Sequence, residues 1–206
     1  MNLNRRTNPI LLTACAAVLA TATACGGGGS QNAGTTGSDT SHRTKKPTSG
    51  GSGSPTSLPT TRAPGSCHAT STDPATTRPD PKCTPGATNP DVTQANIQQT
   101  VCVAGYTKKI RPPVSYTNAL KKQQIAEYGY KDTSPASYEE DHFIPLSIGG
   151  NPTDPKNLWP EPGGSPNPKD QVEFKLYKAL CAGQITLAAA QKAIVTDWTT
   201  AGKLVR

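Results

Sequence analysis

An α+β fold is predicted for this chain: a small, mainly helical domain around a strand–loop–strand–helix unit, preceded by a disordered tether. Three observations predict it. The run Tyr138-Glu139-Glu140-Asp141-His142-Phe143-Ile144-Pro145-Leu146 is followed by a turn containing Gly149-Gly150 and a second apolar run, Asn157-Leu158-Trp159-Pro160, as two short strands would be. Asn167-Pro168-Lys169-Asp170 then opens a helix, with Asn as N-cap, Pro at the first helical position and an acid at the third. Upstream, residues 26–80 are Gly, Ser, Thr and Pro with scattered charges and almost no large apolar residue beyond Leu58. Such a segment buries too little surface to offset the entropy of ordering it.

Taken in order, residues 1–24 read as an export signal: Arg5-Arg6 make a basic start, residues 10–22 an apolar stretch, and Ala22-Thr23-Ala24-Cys25 resembles a lipoprotein signal-peptidase site. Leu12-Thr13-Ala14-Cys15 has the more usual Leu at its first position. Cleavage there leaves an apolar stretch of only about five residues, below the ~7–15 a signal needs, so Cys25 is the expected lipid-bearing residue. The stretch is also shorter than the ~20 apolar residues that span a bilayer. The mature chain is therefore expected to be an extracytoplasmic lipoprotein, held to the cell membrane through Cys25 and a tether of residues 25–80. A coil of that length reaches about 40 Å.

The domain is expected over residues 83–206. The whole chain carries +7, but 13 of its 21 Lys+Arg and 11 of its 14 Asp+Glu lie from Cys83 onward, leaving the domain at +2. Composition alone thus gives no case for strong electrostatic capture of nucleic acid. Lys108, Lys109 and Arg111 can make local phosphate contacts, whereas Lys121-Lys122 read as a solvated face.

Of the six cysteines, Cys15 and Cys25 belong to the export segment, and Cys67, Cys83, Cys102 and Cys181 remain, with no Cys-x-x-Cys pair for zinc. Disulfides suit an exported protein. Cys102 and Cys181 fall in elements expected to pack, so the expected bridges are Cys102–Cys181 and Cys67–Cys83. The alternative, Cys83–Cys102 with Cys67–Cys181, stays open at this level.

Residues 94–101 read as a short helix or turn and 103–110 as irregular or extended, ended by Arg111-Pro112-Pro113. Ser115 can cap a helix running to Tyr128, with Gly129 as its stop. The first strand is expected over 138–148, a turn-rich loop over 149–156 and the second strand over 157–161. The Asn167-capped helix runs to about Leu180 and stops at Gly183; a last helix starts after Thr186 and continues through Trp198. On the Asn167 helix, Val172, Leu176, Tyr177 and Leu180 define one apolar face. Glu173 falls inside that arc, where a carboxylate must be paired, metal-bound or protonated, and Asp170 lies one turn earlier. Phe143, Trp159 and Trp198 read as core; Tyr106 and Tyr116 read as packed, with stacking on bases as the alternative.

The motif Asp141-His142, Pro145-Leu146, Gly149-Gly150, Asn157-Leu158-Trp159-Pro160-Glu161-Pro162, Lys169-Asp170, Glu173, Cys181-Ala182-Gly183 and Asp197-Trp198 resembles secreted bacterial members of the HNH, or ββα-metal, endonucleases. Upstream, Cys102-Val103-Ala104-Gly105-Tyr106-Thr107 and Arg111-Pro112-Pro113 extend the resemblance over residues 83–198. It implies a ββα motif over about 138–182 that hydrolyses DNA or RNA. His142 is then the general base, Asn157 orients it, and Asp141 with one helix residue holds a single divalent ion (Mg, Mn, Ni or Zn). The family places His or Asn at the helix position; here the candidates are Asn167, Asp170 and Glu173. Asp170 can instead only complete the helix cap, and Glu173 can instead only pair with Arg111 or a lysine. Lys108, Lys109, Arg111 and Lys169 are the candidate phosphate contacts, and no obligate protein partner is implied. Two other classes fit the same chain: an HNH fold without catalysis acting as a surface binding module, and a structural lipoprotein of the cell envelope.

Overall fold

The computed structural model describes residues 57–205. The signal peptide, Cys25 and tether residues 25–56 lie outside the described residues. The described chain is an α+β domain with the order α1 (Tyr106–Ile110), α2 (Val114–Glu127), β1 (Tyr138–His142), β2 (Leu158–Pro162), α3 (Pro168–Cys181) and α4 (Leu187–Ala201), with short 3-10 turns between them. Among the described residues, no helix is long and apolar enough to cross a membrane.

β1 and β2 form a two-stranded antiparallel sheet in which Glu139 faces Glu161, Asp141 faces Trp159 and His142 faces Leu158. Side chains alternate across a strand, so Glu139, Asp141, Trp159 and Glu161 share one face while Glu140, His142 and Leu158 share the other. Every residue of β2 is buried, because helices cover both faces. Leu158 packs with Tyr116 and Leu120 of α2, and Trp159 with Leu176 and Leu180 of α3 in the main core. Phe143 and Trp198 belong to that same core.

Asn167 caps α3 as expected: its side chain accepts from the Lys169 amide, and the Asp170 carboxylate accepts from the Asn167 amide, a reciprocal cap. α2 starts one residue before Ser115, on Pro113, and Gly129 follows its end with φ 63°. Residues 106–110, expected to be irregular, make a single helical turn. β1 stops at His142 rather than running to residue 148. Asn157 takes up both backbone groups of Ile144, and Pro145 has no N–H to extend a ladder, so Leu146–Ile148 turns instead.

The packed domain also begins well before Cys83, which corrects the expected tether boundary at residue 80. Gly65 and Cys67 donate their amides to the Ala126 and Glu127 carbonyls at the end of α2. Arg62 pairs with Glu127, and the Trp198 indole donates to the Thr77 carbonyl at 2.6 Å. Cys67, Thr77 and Asp80 are buried. Both expected disulfides, Cys67–Cys83 and Cys102–Cys181, are present.

Candidate functional site

The carboxyl end of β1, the start of the following loop, Arg111 and the first turns of α3 enclose a small polar pocket of about 60 Å³, lined by Arg111, Glu139, Glu140, Asp141, His142, Asp170 and Glu173 among others. Sites that enclose a small organic ligand run to ~300 Å³ or more. This pocket can admit water and a single reacting group.

His142 is 6% exposed, and its Nε2 lies 3.0 Å from the Pro152 carbonyl oxygen. A carbonyl only accepts, so Nε2 carries the proton and Nδ1 keeps the lone pair. Burial pushes the imidazole down to about 4, with Arg111 and Lys169 acting in the same sense against Pro152 and Asp141. The ring is therefore neutral near pH 7.

Asn157 sits beneath this arrangement, fully buried. Its Oδ1 accepts from the Ile144 amide at 2.9 Å, and its Nδ2 donates to the Ile144 and Asn151 carbonyls, each at 3.0 Å. The side chain therefore fixes the backbone two residues beyond His142, while the ring itself is held by Pro152, a contact that side-chain motifs do not encode. Gly150 makes the clamp possible: a Cβ there would lie 1.8 Å from the Ile144 carbonyl oxygen and 2.8 Å from Asn157 Nδ2.

On the opposite face of β1, Asp141 accepts from the Trp159 indole at 3.0 Å and from Lys169 Nζ at 3.1 and 2.9 Å on its two oxygens. Lys169 is completely buried; its Nζ also donates to the His142 carbonyl and to Glu173, one helical turn on. The expected phosphate contact at Lys169 is corrected by this burial, since the ammonium is spent inside the protein. Glu173 pairs with that lysine rather than with Arg111, and burial raises its carboxyl against the pull of Lys169. Asn167 Nδ2 bridges Glu139 and Glu161 at 3.0 Å each. Lys108 and Lys109 are exposed on α1, just before Arg111.

The arrangement can be tested against a divalent metal through its donors. Both Asp141 oxygens are occupied by Lys169; the Asn167 amide oxygen caps α3; Asp170 closes that cap; Glu173 is ion-paired. No group of three or more His, Cys, Asp or Glu among the described residues is placed to hold a metal. The expected ligand set does not fit a metal in this arrangement.

Two further acids, to which the sequence assigned no site role, are Glu140 and Glu161. Glu140 lines the pocket, and neither of its buried carboxyl oxygens has a partner; burial raises it well above the usual carboxylate range. Glu161 is fully buried with Oε1 unpartnered. Burial first, and then the Asp141 charge, push it up to about 9 from 4.5. The folded chain then holds a proton that the unfolded chain has released, so stability should fall as pH rises from 4.5 toward 9, by at most about 1.4 kcal/mol per unit. His142 acts in the opposite sense, but only between about 4 and 6.5. Glu161→Gln should therefore flatten the decline in urea midpoint between about pH 7 and 9; an undiminished slope would show that another group carries it.

No protein-family model, curated protein or solved structure matches this chain.

Proposed function

We propose that the domain hydrolyses phosphodiester bonds of nucleic acid, with His142 as general base, as an exported HNH-type nuclease. One observation carries the reading: the Pro152 carbonyl holds His142 in the tautomer that leaves Nδ1 free to accept a proton, in a pocket beside Arg111. In this mechanism a water in the pocket gives its proton to Nδ1 as its oxygen attacks phosphorus. The P–O bond to the leaving oxygen breaks, and that oxygen is protonated by solvent. Arg111 draws a nonbridging phosphate oxygen to the pocket. Arrival of that anion favours the imidazolium, offsetting the burial that otherwise depresses His142. Asn157 and Gly150 keep the loop in register. Burial raises Glu140, which lines the pocket, well above the usual carboxylate range, and that lessens the repulsion of an incoming phosphate.

Lys108, Lys109 and Arg111 form the cationic approach. Replacing all three by Ala should weaken binding to duplex DNA uniformly across sequences and reduce the slope of log affinity against log salt by about 0.9 for each phosphate no longer neutralised. Filter binding or anisotropy across a salt series measures it; an unchanged slope would place the substrate elsewhere.

The direct test is chemical rescue. His142→Gly removes the ring and leaves its space, so added imidazole should restore part of the cleavage, with a pH dependence that follows the added base. Failure of imidazole to restore any cleavage, in a folded variant of a cleaving wild type, would count against a base at this position. The second reading, a binding module without turnover, is favoured by the Lys169 pairing that takes Asp141 out of play; it predicts nucleic-acid binding with no cleavage by the wild type.

A further inference from the structure

The buried side of the site holds more acid than it can leave uncompensated. Glu139, Asp141, Glu161, Asp170 and Glu173 converge on the start of α3, and two of them, Asp141 and Glu173, bond the same ammonium. That ammonium belongs to Lys169, whose side chain is 0% exposed. It touches both oxygens of Asp141, at 3.1 and 2.9 Å, and the His142 carbonyl at 3.2 Å. Its main-chain amide is fixed by the Asn167 cap, so the lysine enters the cluster from a rigid helix start. A buried ammonium with no partner is costly; here Asp141 and Glu173 both accept from it.

We propose that Lys169 is the resident cation of this carboxylate cluster, standing where a nuclease of this type would place a divalent metal. The proposal deepens the function given above. A metal bound by Asp141 would sit ~2.0–2.6 Å from its oxygens. That places it within about 5.5 Å of Nζ, where like charges repel in a buried setting. The two cations compete for the same carboxylate. Lys169 thus acts as a positioning residue: it holds the Asp141 carboxylate and the His142 carbonyl together and sets the backbone from which the imidazole projects.

The test reads metal binding and stability, not cleavage, so it can fail while the His142 chemistry stands. Mn²⁺ binding to the full wild-type chain, followed by electron paramagnetic resonance, should be no tighter than about 1 mM, and the thermal midpoint should be the same in EDTA and in millimolar Mg²⁺. One Mn²⁺ per chain bound tighter than that, with a midpoint that rises on adding metal, would overturn the proposal. Lys169→Met removes the competing cation and should bind Mn²⁺ at least about tenfold tighter than wild type, and added metal should raise its melting midpoint. Affinity in a folded Lys169→Met that is unchanged or weaker would also overturn the proposal; should this variant not fold, the wild-type measurement decides alone.

Discussion

On the proposed mechanism, His142→Ala is expected to lower cleavage of DNA or RNA by about 10²–10⁴-fold, the usual worth of a positioned general base. The expected loss comes from the pocket and not from the fold. His142 packs at the end of β1, but the loop that follows is held by Asn157, whose bonds to Ile144 and Asn151 are untouched by the substitution. What the variant does lose is the donor to the Pro152 carbonyl, a cost of about 1–3 kcal/mol for a buried group left without its partner. Rates should therefore be compared well below the melting transition, with near-UV circular dichroism showing that Trp159 and Trp198 keep their environments. A folded variant that cleaves within a factor of about three of wild type would remove His142 from the chemistry.

Replacing Cys102 and Cys181 by Ser should destabilise the domain by about 4.5 kcal/mol, because that bridge closes a loop of roughly 80 residues in the unfolded chain. Cys67 and Cys83, 16 residues apart, close a smaller loop worth about 3 kcal/mol. Against a total stability of ~5–15 kcal/mol, the first loss is enough to leave much of the chain unfolded at growth temperature. The bridge joins the end of α3 to the segment after the 94–99 turn, where Gln98 also reaches the Cys181 carbonyl at 3.2 Å. It therefore anchors the helix that carries Lys169 and Glu173. Urea denaturation of the double variant beside wild type measures the effect, and a change below about 1 kcal/mol would mean that the unfolded state is already compact.

The parts of this fold with local chemical signatures were legible in the sequence. The Asn167-Pro168 helix start and the Gly129 stop each follow from a few adjacent residues, and Cys102–Cys181 was the preferred of two pairings that the sequence left open. The segment 57–82 was not legible, because main-chain bonds such as Gly65 to Ala126 and Cys67 to Glu127 hold it, and these leave no apolar pattern. At the site, Asp141, His142 and Asn157 stood out as a set, and Glu173 was marked as an acid needing a partner. That its partner is Lys169 could not be read. A lysine beside a helix cap ordinarily points to solvent, and only the sheet register that sets Glu139 opposite Glu161 creates an acidic interior for it. The Pro152 carbonyl was likewise invisible, being main chain.

The measurement closest to the central claim is a comparison of plasmid and RNA cleavage by wild type and His142→Ala, in EDTA and with Mg²⁺, Mn²⁺, Ni²⁺ or Zn²⁺ added in turn. The account predicts cleavage by wild type in EDTA as well as with metal, and a loss of at least about 10²-fold in the variant under each condition. Cleavage confined to metal-containing samples would remove Lys169 as the site's cation while leaving His142 in place. Equal rates for the two folded proteins, or no cleavage of either nucleic acid by folded wild type under any condition, would contradict the assignment of this pocket as a phosphodiesterase site.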